Sequence, residues 1–121
     1  MPAKKRCEPL ATTEAYKAAL SLLEEAMPPR HRLMLAVHYS APMRAVTARN
    51  LAAAVGYSHY GTANLQYGTL GRRICEILGL HLKYHVLVLA EFVMPQHGED
   101  TELLWVMRPE VSQALEELKW V

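Results

Sequence analysis

The sequence predicts an α+β domain, and three observations carry that prediction. Apolar residues recur at helical spacing in several separate stretches, whereas one later block rich in Val, Leu, Tyr and Phe has no helical stripe. Proline, glycine and capping residues divide these stretches into elements of ordinary length. With 121 residues, 51% apolar and 21% charged, the chain has ordinary globular composition and room for one core. The expected organisation is a flexible basic tail over 1–11, carrying Lys4, Lys5 and Arg6, followed by a single domain over 12–121.

Thr12 or Thr13 can cap a first helix running to about Met27, with Tyr16, Ala19, Leu20, Leu23, Ala26 and Met27 on one apolar stripe. Pro28-Pro29 stops it, and Pro29 suits the first turn of a second helix with Leu33, Ala36 and Val37 inward. A brief extended piece, Met43 to Val46, comes next. Thr47 is then a good cap for a short third helix through Val55, and Gly56 is its natural left-handed end. The linker Tyr57-Ser58-His59-Tyr60-Gly61 leads to a fourth helix from about Thr62 to Leu78, stopped by Gly79. His81 to Val93 reads as a strand, the polar run from Pro95 to Asp100 as a turn, and Glu102 to Met107 as the returning strand. Pro109 opens a last helix to Trp120, with Val111, Ala114, Leu115 and Leu118 as its apolar stripe.

At 100° per residue, Ala63, Tyr67, Leu70, Gly71, Ile74, Ile77 and Leu78 of the fourth helix fall within about a third of the circle. Opposite them lie Thr62, Gln66, Thr69, Arg73 and Glu76, with Leu65 and Arg72 beside them. One side is therefore core. The other is either an ordinary solvated surface or a stripe able to read base edges, since Gln pairs with adenine and Arg with guanine or phosphate.

The run Thr47-Ala48-Arg49-Asn50-Leu51-Ala52-Ala53-Ala54-Val55-Gly56 resembles the first half of a helix-turn-helix, with its capping Thr47, its Leu51-Ala52 pair and its closing Gly56. Ala52 lets two helices approach closely, and Gly56 supplies the positive-φ turn. The family's usual spacing puts an inward apolar residue near Thr62, whereas here Ala63 turns inward, so the connection is one residue longer. The full element order resembles a winged helix-turn-helix with an extra N-terminal helix, a C-terminal β-hairpin wing and a final helix. This resemblance implies a non-enzymatic module that binds duplex DNA through Thr62, Gln66, Thr69, Arg72 and Arg73, positioned by Arg49.

The phrase from Ala63 to Gly71 is also similar to DNA-sensing modules fused to modification-dependent HNH restriction nucleases, although no His-Asn-His constellation occurs here. That similarity makes Tyr57, His59, Tyr60 and Tyr67 candidates for stacking on a base. The alternative is that Tyr60 and Tyr67 simply pack the helix onto the hairpin.

The net charge of +1 is too small to argue for nucleic acid by itself, so any basic footprint must be local. Arg30, Arg32 and Arg44 extend the set around the helix pair, whereas Glu99, Asp100 and Glu102 at the hairpin tip would repel a duplex. Two cysteines, Cys7 and Cys75, make no disulfide framework and fit a reducing, cytoplasmic setting. No apolar run approaches the roughly 20 residues that span a bilayer, and no secretory signal is expected. His81 and His85 lack the further converging ligands of a zinc site, so neither a metal nor a cofactor is expected. No nucleophile motif or phosphate-binding glycine loop suggests catalysis.

The DNA-binding winged helix is expected to be a homodimer, and the rival reading is a protein-interaction module that dimerises through its hairpin or terminal helices, with Trp105, Trp120 and Val121 as an apolar edge. A third uses the acidic tip to block a partner.

Overall fold

The computed structural model describes residues 9–94 and 102–121. Thr12 accepts a hydrogen bond from the Ala15 amide and so caps α1 (Thr13–Leu23), whose Tyr16, Ala19 and Leu20 are buried. Pro29 opens α2 (Pro29–Ser40). A tight turn, Pro42–Arg44, leads into β1 (Ala45–Thr47). The third helix is α3 (Ala48–Val55), and α4 (Tyr60–Leu78) follows as the longest element. The chain ends in β2 (Ala90–Val93), β3 (Leu104–Met107) and α5 (Pro109–Glu117).

The described residues thus form an α+β fold of five α-helices and one antiparallel sheet of order β1-β3-β2. Trp105 in the central strand pairs with Val46 on one side and Phe92 on the other. That layout is consistent with a winged-helix-like arrangement. Trp105 stacks on Tyr67 of α4 with ring centroids 5.5 Å apart, and this contact joins sheet to helices. Leu51, Leu70, Ile74, Leu89 and Leu115 complete the core around it. Among the described residues, no helix is long and apolar enough to cross a membrane.

Several expectations need correction. The first helix ends at Leu23 rather than Met27, and the last at Glu117 rather than Trp120. Met43 and Arg44 are not extended. They adopt φ of 56° and 59°, and Arg44 is held there by stacking on Tyr39 and donating to its carbonyl at 2.9 Å.

The block 81–93 is a strand only over its last four residues. Before that, His85–Val88 is a 3-10 turn pressed onto α4. Its backbone is already engaged elsewhere. Tyr16 donates its hydroxyl to the Val88 carbonyl at 2.7 Å, and Arg108 donates its Nε to the Leu87 carbonyl at 2.7 Å. The Arg108 amide donates to Leu89 at 3.0 Å. With those carbonyls satisfied by other elements, the apolar run has no ladder to join. Gly71 permits the contact, because a methyl group there would collide with the His85 carbonyl.

Parts of the expected dimer surfaces are used within the chain, while Val121 stays exposed. Trp105 is 3% exposed, so it offers no edge to a partner. The apolar stripe of α5 is spent within the chain, where Val111, Ala114 and Leu115 are buried. Lys17 of α1 bonds Glu117 of α5 at 2.9 Å, tying the two terminal helices together. Trp120 lies under the Arg32 guanidinium, 4.1 Å from the ring centroid. Of the expected tail, Ala11 packs against the core, whereas Lys4, Lys5 and Arg6 lie outside the described residues, as do Glu99 and Asp100.

Candidate nucleic-acid interface

Local chemistry shapes the α3–α4 unit. Thr47 accepts from the Asn50 amide at 3.0 Å and starts α3. Gly56 ends it at φ 88°, and the Tyr57 amide returns to the Ala52 carbonyl at 2.9 Å. His59 then caps α4, its Nδ1 accepting from the Gly61 amide at 2.9 Å. This places the start of α4 at Tyr60, two residues before the expected Thr62, and Ala63 is fully buried. The connection is therefore shorter than the expected linker 57–61, while Ala63 turns inward as expected.

The expected reading stripe is not one face. Asn64, Leu65, Arg72 and Glu76 are exposed, while Thr62, Gln66, Thr69 and Arg73 are only half exposed. Gln66 is turned toward α2, where its Oε1 lies 2.7 Å from Nε2 of buried His31. That oxygen can only accept, so His31 carries its proton on Nε2. Thr69 donates its hydroxyl back to the Leu65 carbonyl at 2.9 Å. Arg72 pairs with Glu76 one turn along at 3.3 Å. The outward direction of α4 is therefore centred on Leu65 and Arg72, rotated from the stripe the helical wheel suggests.

Of the stacking candidates, Tyr67 is fully buried and faces the core. Its hydroxyl lies 2.8 Å from Nδ1 of His38, whose Nε2 lies 2.9 Å from the Trp105 carbonyl. The carbonyl can only accept, so neutral His38 donates from Nε2 and accepts the Tyr67 proton at Nδ1. Burial pushes the His38 pKa below its usual value and the Tyr67 pKa well above its own. Burial, with Glu76 adding to it, likewise raises the thiol pKa of Cys75.

Tyr57, His59 and Tyr60 stay near the surface. His59 and Tyr60 stack at 4.8 Å, and Tyr60 is 47% exposed. Arg30 lies over the Tyr57 ring at 5.0 Å. Arg49 lies over Tyr60 and also bonds Glu102 through Nε at 2.6 Å, so the base of the hairpin reaches back to α3.

Two features escape the sequence reading. Asn64 is exposed on α4 beside Tyr60. The same flank of the helix lines an open cavity together with Lys83, Tyr84 and Phe92. Treating 81–93 as one continuous strand hides that lining, because only the 3-10 turn brings Tyr84 next to α4. No group of three or more His, Cys, Asp or Glu side chains able to hold a metal occurs among the described residues. No family model, curated protein or solved structure matches the chain.

Proposed function

We propose that this chain is a winged helix that binds duplex DNA, with α4 lying in the major groove. The element order supports the reading, since α2, β1, α3, α4 and the β2–β3 hairpin follow one another as in a winged helix. The observation that carries it is the outer strip of α4, left open by the described chain while the opposite side is core. Asn64 can pair with both hydrogen-bonding positions on an adenine edge, and Leu65 can meet a thymine methyl. Arg72 reaches guanine or phosphate once its pairing with Glu76 opens. Arg73, Arg49 and Lys83 flank the strip as phosphate contacts. Thr62 and Thr69 lie at its margin, and Gln66 serves to hold α4 to α2.

Fluorescence anisotropy with a random duplex at two salt concentrations tests this. Four cationic contacts predict a log–log salt slope of about −3 to −4, at roughly −0.9 per phosphate. Arg72→Ala combined with Arg73→Ala should abolish most of the binding. Absence of binding at low salt ends the proposal.

A protein-interaction module is the second reading, favoured by Leu65 being 65% exposed on the same strip. The carboxylates of Glu76 and Glu102, already neutralising Arg72 and Arg49, point the same way. Such a module would tolerate loss of both Arg72 and Arg73, and would lose its partner on Leu65→Asp.

A further inference from the structure

The hairpin-facing flank of α4 has a different character from its outer strip. Tyr60, Asn64 and Gly68, spaced one helical turn apart, form one wall of a cavity of about 830 Å³. Sites for small organic ligands commonly span about 300–1,000 Å³. Tyr84 and Phe92 line the same cavity, their rings 6.3 Å apart and tilted by 47°.

Gly68 is the informative residue. A glycine inside a helix weakens it relative to alanine, so it normally answers a packing or backbone demand. Gly71 answers one, because the His85 carbonyl presses against it. Gly68 answers neither. It is not among the positive-φ residues, and a Cβ built there meets nothing within 4 Å. Its missing side chain leaves the cavity wall flat beside Asn64.

The remaining lining has a consistent chemistry. Tyr60 and Tyr84 are 47% and 55% exposed, and one face of the Tyr60 ring is already stacked on His59. A cation lies close to each, with the Arg49 guanidinium carbon 5.5 Å from the Tyr60 centroid and Lys83 Nζ 5.4 Å from that of Tyr84. Glu102 adds a carboxylate acceptor to the same lining.

We propose that this cavity is a nucleotide site. The base stacks on the exposed ring of Tyr84, which accepts any base because every base has a π-face. Asn64 pairs with its edge and Lys83 takes the phosphate, beside the ion pair of Arg49 and Glu102. The nucleotide is either a free mononucleotide or a base extruded from a duplex lying on α4. The second source rests on the DNA-binding reading, and the first does not.

The test compares the wild type with Gly68→Leu, whose side chain would project into the cavity beside Asn64. Leucine also replaces a helix-interior glycine, so thermal melting should stay level or rise. Should Gly68→Leu melt lower, Tyr84→Ala at an exposed position provides the same comparison. Calorimetric titration with deoxyadenosine monophosphate reads the free source. Anisotropy with a fully paired duplex and one carrying a single unpaired adenine reads the extruded source.

The expected result is that the mononucleotide, or the duplex with the unpaired adenine, binds the wild type about tenfold or more tightly than the variant. Mononucleotide binding without any duplex binding supports this site and removes the DNA-binding reading. Equal affinity of wild type and variant for both probes, or binding of neither, overturns the site. Wild-type affinity for the fully paired duplex then judges the DNA reading separately.

Discussion

The two sides of α4 carry similar residue types and end in opposite states. Toward α2 and the core, the polar groups close on internal partners, with Gln66 on His31 and Tyr67 on His38, which continues to the Trp105 carbonyl. Toward the hairpin, Tyr60, Asn64 and Gly68 border open space. A polar side chain on a helix is thus structural or available according to what the neighbouring element offers it. A buried donor left unpaired costs about 1–3 kcal/mol, so the core side has little freedom to change. The hairpin side has much.

The largest effect that sharpens this contrast is expected for His38→Ala. It would strand the Tyr67 hydroxyl and the Trp105 carbonyl and open a cavity, for a loss of about 3–5 kcal/mol by chemical denaturation at pH 8. A loss below about 1 kcal/mol would show that the network is not a stabilising unit.

The same residue sets a pH dependence. Burial holds the folded pKa of His38 below its usual 6.5, so the unfolded chain takes up the proton first as pH falls. Stability from neutral His38 is complete above about pH 6.5 and declines from there toward the lower folded value. Melting curves between pH 8 and pH 5 should show this decline in the wild type, and His38→Gln should lack His38's share of it.

The two α4 glycines give the next test, with opposite signs. Gly71→Ala forces a methyl group onto the His85 carbonyl and should cost about 1–3 kcal/mol. Gly68→Ala faces open space and should stabilise by up to about 1 kcal/mol through helix propensity. Equal effects on melting temperature would erase the distinction between the two flanks.

The smallest effect is expected for Arg72→Ala, an exposed ion pair one turn from Glu76. Stability should change by less than about 0.5 kcal/mol. If α4 enters a DNA groove, the same change should lower duplex affinity and, where Arg72 meets phosphate, reduce the salt slope by about 1.

Local signals were the legible part. Thr12, Thr47, Gly56 and Gly79 mark helix ends through hydrogen bonds and backbone angles spanning only a few residues. The inward side of α4 follows from its apolar period as far as Ile74, with Ala63, Tyr67, Leu70, Gly71 and Ile74 buried, whereas Ile77 near the helix end is exposed. The outward side is harder to read, because a helical wheel gives directions without saying what stands in them. Gln66 shows the consequence. It belongs to the polar half of the wheel, yet α2 passes close enough for His31 to claim it.

By itself, then, the chain's order of residues determined where most helices begin and end and which edge of α4 faces inward, since capping, glycine angles and apolar period act within a turn or two. Tertiary structure decided the rest. It turned most of the 81–93 block away from a strand, because Tyr16 and Arg108 take its carbonyls. It also placed Trp105 and the apolar stripe of α5 in the core and brought Tyr84 and Gly68 to one cavity. Contacts between residues tens of positions apart depend on the three-dimensional path of the chain, and no local pattern encodes that path.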